Sequence, residues 1–272
     1  MPFEPGKATV YDTTEAIAQF GRAMKKTSRP VALVPLGTGL HAGHIALIRA
    51  ARSLLGATVV VAWAGSQVPE EFAAEGVDAV WSYRPEHIWP KGERTRVMPR
   101  RAELEDPDRL SYVLTGQLAM INVVQPTWVI VGEKDYEMLV NLRHAVTDLH
   151  LPVDVRGVPT VRMADGLAVS LRNVDVAQDA HDAALALSAA LVAGAHAAEF
   201  GEEKVLATAR GVLDAAGIEP EYLELRGINL GPAPEQGDAR LFVAATVGGV
   251  RLTDNVGLPI GIGFKNIQPD QG

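Results

Sequence analysis

The stretch VALVPLGTGLHAGH, residues 31–44, opens as an apolar run and closes on two histidines at the start of a helix-like segment. Val31–Val34, bounded by Pro35 and Gly37, reads as a short buried strand. Ala42–Leu55 places Ile45, Leu47, Ile48 and Leu54 at helical spacing. The same change of period recurs along the chain. Thr58–Trp63, Ala79–Trp81, Trp128–Val131 and Val153–Gly157 have strand character, while Arg109–Val124 and Asp135–Leu149 have helix length. This β-α-β-α order predicts an α/β fold, a doubly wound, Rossmann-like parallel sheet with ligands at the carboxyl ends of its strands. Past Asn173 the texture changes to an Ala- and Leu-rich helical stretch, Asp179–Phe200, and a second helix, Glu203–Ala216. Strand-like Tyr222–Leu225, Leu241–Val247 and Arg251–Asp254 follow. Residues 1–173 are therefore expected to form the nucleotide-type domain, and 174–272 a smaller α+β domain capping it.

Composition narrows the partners. With 33 acidic against 25 basic residues the formal charge is −8, so nothing favours nucleic acid or an anionic membrane surface, and any anion must be bound by local groups. The absence of cysteine excludes disulfides, thiolate metal sites and cysteine nucleophiles, and it fits a reducing cytoplasm. The N-terminal MPFEPGKATVYDTTEA lacks a basic-then-apolar signal pattern. The longest apolar stretch, Ala183–Ala198, contains His196 and falls short of the ~20 apolar residues of a membrane span. The expectation is a soluble cytoplasmic protein.

The opening stretch fails two phosphate fingerprints. Gly37 and Gly39 are followed by Ala42 where a dinucleotide motif needs its third glycine, and no Gly-Lys-Ser/Thr follows. What remains is His41-Ala42-Gly43-His44. Three apart on a helix, the imidazoles share a face, and the helix N-terminus adds free N–H groups and a positive dipole end. Gly43 carries no side chain to block an anion from the backbone. Solvent-exposed histidines without a role, or a metal pair, are the competing readings. The latter has no third ligand nearby, and the strand-to-helix context favours an anion.

Further matches sharpen this. A strand followed by His-x-Gly-His, then Gly132-Glu-Lys-Asp-Tyr136, Gly157-Val-Pro-Thr-Val-Arg162, Ala164-Asp-Gly-Leu-Ala-Val-Ser-Leu-Arg-Asn173 and Tyr222-Leu-Glu-Leu-Arg226 occur in the order found in pantothenate synthetases, and the chain resembles that family over nearly its whole length. The resemblance implies an ATP-dependent C–N ligase, in which an acid is activated as its acyl-adenylate with release of pyrophosphate, and an amine then displaces AMP. It assigns catalysis to His41, His44 and Lys134. ATP contacts fall to Gly39, Gly43, Gly132, Lys134, Asp135 (on the ribose hydroxyls), Val161, Ser170 and Arg172, with Mg²⁺ on the phosphates and a homodimer as the expected assembly.

The departures cluster on the acid side. The family's Pro-Thr-Met-Gly is Pro35-Leu36-Gly37-Thr38 here, and its Asn-Pro-x-Gln segment is replaced by Ala64-Gly-Ser-Gln-Val-Pro-Glu70. A pantoate-contacting glutamine is Met138, the second serine of the phosphate loop is Leu171, and Arg-Pro-Thr-His-Phe becomes Arg109-Leu-Ser-Tyr-Val113. An acid pocket walled by Gly37, Ser66, Gln67, Tyr112 and Met138, more apolar than a pantoate site, is the expectation. Pantoate with β-alanine, a less hydroxylated acid, or nucleotide binding without ligation all remain open, although the retained phosphate-contacting residues weigh against the last.

Overall fold

The computed structural model describes residues 3–100, 102–177 and 180–262. The chain divides into two compact units, the first running to Val161 and the second starting at Arg162. That division falls before the Asn173 boundary read from the texture, and the Arg162 side chain bonds Ser188 and Asp254 within the second unit.

The first unit comprises β1 (Thr9–Tyr11), α1 (Thr14–Lys26), β2 (Val31–Leu36), α2 (Ala42–Arg52), β3 (Thr58–Trp63), α3 (Glu71–Ala74), β4 (Ala79–Ser82), α4 (Pro85–Ile88), α5 (Pro107–Val124), β5 (Trp128–Gly132), α6 (Tyr136–Asp148) and β6 (Asp154–Val158). Its six strands are all parallel, in the order β1-β4-β3-β2-β5-β6. The central strands β2 and β3 are near-continuous apolar runs because helices cover both faces of such a sheet. Side chains alternate between those faces. Ala32, Val34 and Leu36 join Leu47, Ile48 and Ala51 of α2 in one cluster, while Leu33, fully buried, points the other way.

Several boundaries differ from expectation for local reasons. Helix α2 stops at Arg52, short of Leu55, which is 97% exposed ahead of the left-handed Gly56. Helix α5 starts two residues before Arg109, because Asp106 caps it through Arg109 N–H at 2.7 Å and Pro107 occupies its first position. Strand β1, three residues long and not fully buried, lacks the hydrophobic pattern that would have announced it.

The second unit holds α7 (His181–His196), α8 (Glu202–Ala215), β7 (Tyr222–Gly227), β8 (Gly237–Val247) and β9 (Val250–Ile260). Asp179, expected to open α7, lies outside the described residues. The helix ends at His196, and a single turn, Ala198–Phe200, follows it. The antiparallel sheet runs β7-β8-β9, with strands longer than the sequence suggested. Gly248 and Gly249, at φ 57° and 79°, make the two-residue turn between β8 and β9 that needs positive φ at both positions. Leu187 and Leu191 of α7, Val205 and Leu213 of α8, and Leu241 and Val243 of β8 form its core.

Candidate active site

In the first unit the strand order reverses between β2 and β5. From β2 the chain moves to β3, and from β5 it moves to β6 on the other side, so the carboxyl ends of these two strands flank the crevice where doubly wound sheets bind ligands. Pairing between them involves Ala32 with Trp128 and Leu33 with Val129, whereas β2 follows β3 as far as Leu36 and Trp63. Pro35, beyond the last β5 pair, has no N–H to extend a ladder. Helices α2 and α6 both begin at this edge.

His41 is the residue preceding α2, in extended conformation at φ −147°, and its side chain does not cap the helix. Its carbonyl accepts the N–H of His44 at 2.9 Å and of Ile45 at 3.2 Å. The rings of His41 and His44 stack with centroids 3.7 Å apart. A methyl group at Gly43 would lie 2.9 Å from Cε1 and 3.0 Å from Nδ1 of His41, so the glycine seats the first ring, a nearer demand than room for an anion. Burial lowers the pKa of both imidazoles. The positive charge of Lys134 adds to the effect at His41. His44 is brought down to about 4 by burial and by His41, against the opposing hydrogen bond of the Gly39 backbone. Both rings are thus neutral at pH 7. Their Nδ1 atoms are buried and, among the described residues, have no hydrogen-bond partner.

Lys134 and Asp135 follow Gly132 in a single helical turn between β5 and α6, the lysine half-buried and the aspartate exposed. The lysine's influence on His41 joins the two loops across the strand-order reversal. Val161 lies just past β6 and is half-buried.

Ser170 and Arg172 belong to the second unit. The Ser170 hydroxyl oxygen accepts the Arg172 N–H at 3.2 Å and caps the short turn Leu171–Asp175. Asn173 donates to the Ala168 carbonyl at 2.8 Å. The segment leading here is anchored by Arg162, which meets Asp254 at 2.7 and 3.1 Å, and by Ser188, which donates to the same carboxylate at 3.1 Å. Nothing in the sequence pattern marked Asp254, since its partners are distant in the chain.

On the acid side, Gly37, Ser66 and Gln67 are exposed past the ends of β2 and β3. The Gln67 carbonyl accepts Trp63 Nε1–H at 2.7 Å. Tyr112 of α5 is 39% exposed and packs on Trp89 at 5.2 Å, with Arg96 over its ring at 5.9 Å. Met138, by contrast, is buried in the first turn of α6. Its neighbour Glu137 is buried too, its carboxylate accepting the N–H groups of Glu103, Leu104 and Glu105 at 2.8, 3.2 and 2.8 Å. Tyr83 was not anticipated. It follows β4 directly, donates its N–H to Trp63 O at 3.0 Å and its hydroxyl to Leu36 O at 3.3 Å, and its pKa is pushed up to about 12 by burial and by Tyr112. The signal was an aromatic residue at a strand end, Trp81-Ser-Tyr83, ahead of Pro85.

The family model described as pantoate-beta-alanine ligase matches residues 9–64 and 68–257. Pantothenate synthetase of Corynebacterium jeikeium (strain K411) is 45% identical, covering 98% of this chain and 95% of that one. The enzyme of Mycobacterium avium (strain 104) is 40% identical at the same coverage. Among solved structures, pantothenate synthetase of Thermus thermophilus superposes with a TM-score of 0.78 at 31% identity, over 91% of this chain and 98% of that one. Matches of this extent, in sequence and in backbone, leave one assignment, and the chain belongs to the pantoate–β-alanine ligase family.

Proposed function

We propose that this protein joins pantoate to β-alanine at the expense of ATP. A carboxylate oxygen of the acid attacks the α-phosphorus, the bond to the bridging oxygen breaks, and pyrophosphate leaves. The amine then attacks the acyl carbon of the adenylate, forming the amide and releasing AMP. The observation that carries this reading is the neutral, stacked His41–His44 pair at the start of α2, with Lys134 beside it at the strand-order reversal. Neutral imidazoles can donate to phosphate oxygens, and the lysine adds a fixed positive charge where negative charge develops. The exposed Asp135 carboxylate suits ribose hydroxyls. Gly39, Gly43, Gly132 and Val161 would bring backbone close to the nucleotide, with Ser170 and Arg172 on the β- and γ-phosphates.

Mg²⁺ would neutralise charge on the departing pyrophosphate. Such an ion is ordinarily held by phosphate oxygens and water with one or two protein ligands rather than by a protein cage. The acid would lie beside His44, near Gly37, Ser66, Gln67 and Tyr112, with Met138 packing behind. Two copies of the chain are expected to associate, a state that light scattering would resolve. No helix of the described residues is long and apolar enough to cross a membrane.

The test is pyrophosphate release from ATP with a panel of carboxylic acids, with and without β-alanine. Release that requires pantoate, and amide formation that requires both, is the expected result. Preference for an acid lacking hydroxyls would move the protein to a related ligation.

A further inference from the structure

Tyr83 sits where three strands end. Its N–H bonds β3 at Trp63, its own chain continues from β4, and its hydroxyl reaches the last residue of β2, Leu36. The next residue, Gly37, is exposed and has no atom within 4 Å of the position a side chain would take. The carbonyl that the phenol meets thus belongs to the last residue before an exposed, uncrowded turn at the ligand edge of the sheet. Burial and the nearby Tyr112 raise the phenol's pKa, so it keeps its proton throughout the physiological range and cannot act as a base.

Hydrogen-bond capacity decides what such a group does. A phenol has one proton and can also accept. The Tyr83 proton is committed to the Leu36 carbonyl, and among the described residues no donor fills the oxygen's remaining capacity. At 3.3 Å that bond is long for an O–H···O contact, where about 2.5–3.0 Å is usual, so the oxygen is not locked tightly against the carbonyl. With its proton given to Leu36, what the oxygen has left to offer is acceptance. An acceptor discriminates for a hydroxyl and against a methylene, because a buried hydroxyl without a partner is costly.

We propose that Tyr83 is a specificity-determining residue for the acid, its phenol oxygen accepting a hydrogen bond from a hydroxyl group of a hydroxy-carboxylic acid bound beside Gly37. Tyr112, whose hydroxyl likewise has no hydrogen bond among the described residues, forms the neighbouring wall. The inference rests on the ligase reading given above, and it places a polar recognition group in a pocket that the sequence had suggested would be apolar.

The experiment measures pyrophosphate release by wild type and Tyr83→Phe with pantoate, which bears hydroxyls at carbons 2 and 4, and with its 2-deoxy and 4-deoxy analogues. The substitution keeps the ring and removes only the oxygen. Expected is a fall in kcat/KM for pantoate of about tenfold, no fall for one of the two deoxy analogues, and an unchanged KM for ATP. An equal fall for all three acids would show that the hydroxyl merely holds the Leu36 turn, and no fall for any would show that it contacts no substrate; either result overturns the assignment while leaving the ligase reading intact. A wild-type enzyme that releases no pyrophosphate with any of the three acids would overturn both.

Discussion

The imidazoles of His41 and His44 lie stacked, centroids 3.7 Å apart and planes 22° from parallel, at the N-terminus of α2. Two rings so close, partly buried and near a lysine cannot both carry charge cheaply. They are held neutral, and among the described residues one nitrogen of each ring has no partner. Interactions that strengthen as charge builds on a phosphate lower the barrier more than they tighten ground-state binding.

His44→Ala and Lys134→Ala should therefore lower the rate of adenylate formation by about a hundredfold or more, the loss typical of one preorganised donor at a developing anion. ATP affinity should fall much less. Single-turnover pyrophosphate release and equilibrium nucleotide binding separate the two quantities. Losses of equal size in both would reduce these residues to binding groups.

Gly43→Ala tests the stack. The added methyl would sit 2.9 Å from His41 Cε1, so the ring must move. Alanine is the better helix former by about 1 kcal/mol in a helix interior, so the thermal midpoint should hold while adenylation drops. A variant with full activity would mean that the position of His41 is unimportant to the reaction.

The stack also has a pH signature. His44 titrates at about 4 in the folded chain against an ordinary value of 6.5. Above pH 6.5 it is neutral in both states and contributes no pH dependence. As pH falls from 6.5 toward 4 the unfolded chain takes up a proton that the folded one refuses, so stability declines through that window. His41, lowered in the same direction, adds to the slope. Thermal midpoints of His44→Gln should decline less steeply than wild type between these limits, and parallel curves would contradict the assignment.

In the second unit, Asp254 accepts from Arg162, Ser188 and its own neighbour's N–H, Asn255 at 2.8 Å, while only 5% exposed. Asp254→Ala leaves the guanidinium without its counter-charge and should cost about 3 kcal/mol, the low end for breaking a buried pair, since Arg162 is partly solvated. A lowered urea midpoint together with weaker ATP binding is expected, because Arg162 anchors the segment that leads to Ser170 and Arg172. Unchanged ATP affinity would detach the network from the phosphate contacts proposed for Ser170 and Arg172.

Much of this was legible in local pattern. Val31–Val34 and Thr58–Trp63 could be recognised as buried parallel strands because both faces of each are apolar, and the helix start at Ala42 followed from the helical spacing of Ile45, Leu47 and Ile48. Strand β1 was not legible, as three residues that are not fully buried have no period to read. Tyr83 was missed because its meaning depends on the carbonyl of Leu36, 47 residues away in the chain.

Residue type and short-range spacing were enough to specify the alternation of elements and the family, and they singled out His41, His44 and Lys134 as candidates. Which strand lies beside which, and so which loops meet, was settled by long-range packing. Once β5 is laid against β2, Lys134 comes to act on His41, and once β4 is laid against β3, the Tyr83 hydroxyl reaches the end of β2. The difference is one of range. Propensity and periodicity act within a few residues, whereas burial, ring stacking and the pairing of a buried carboxylate depend on surfaces brought together from distant parts of the chain.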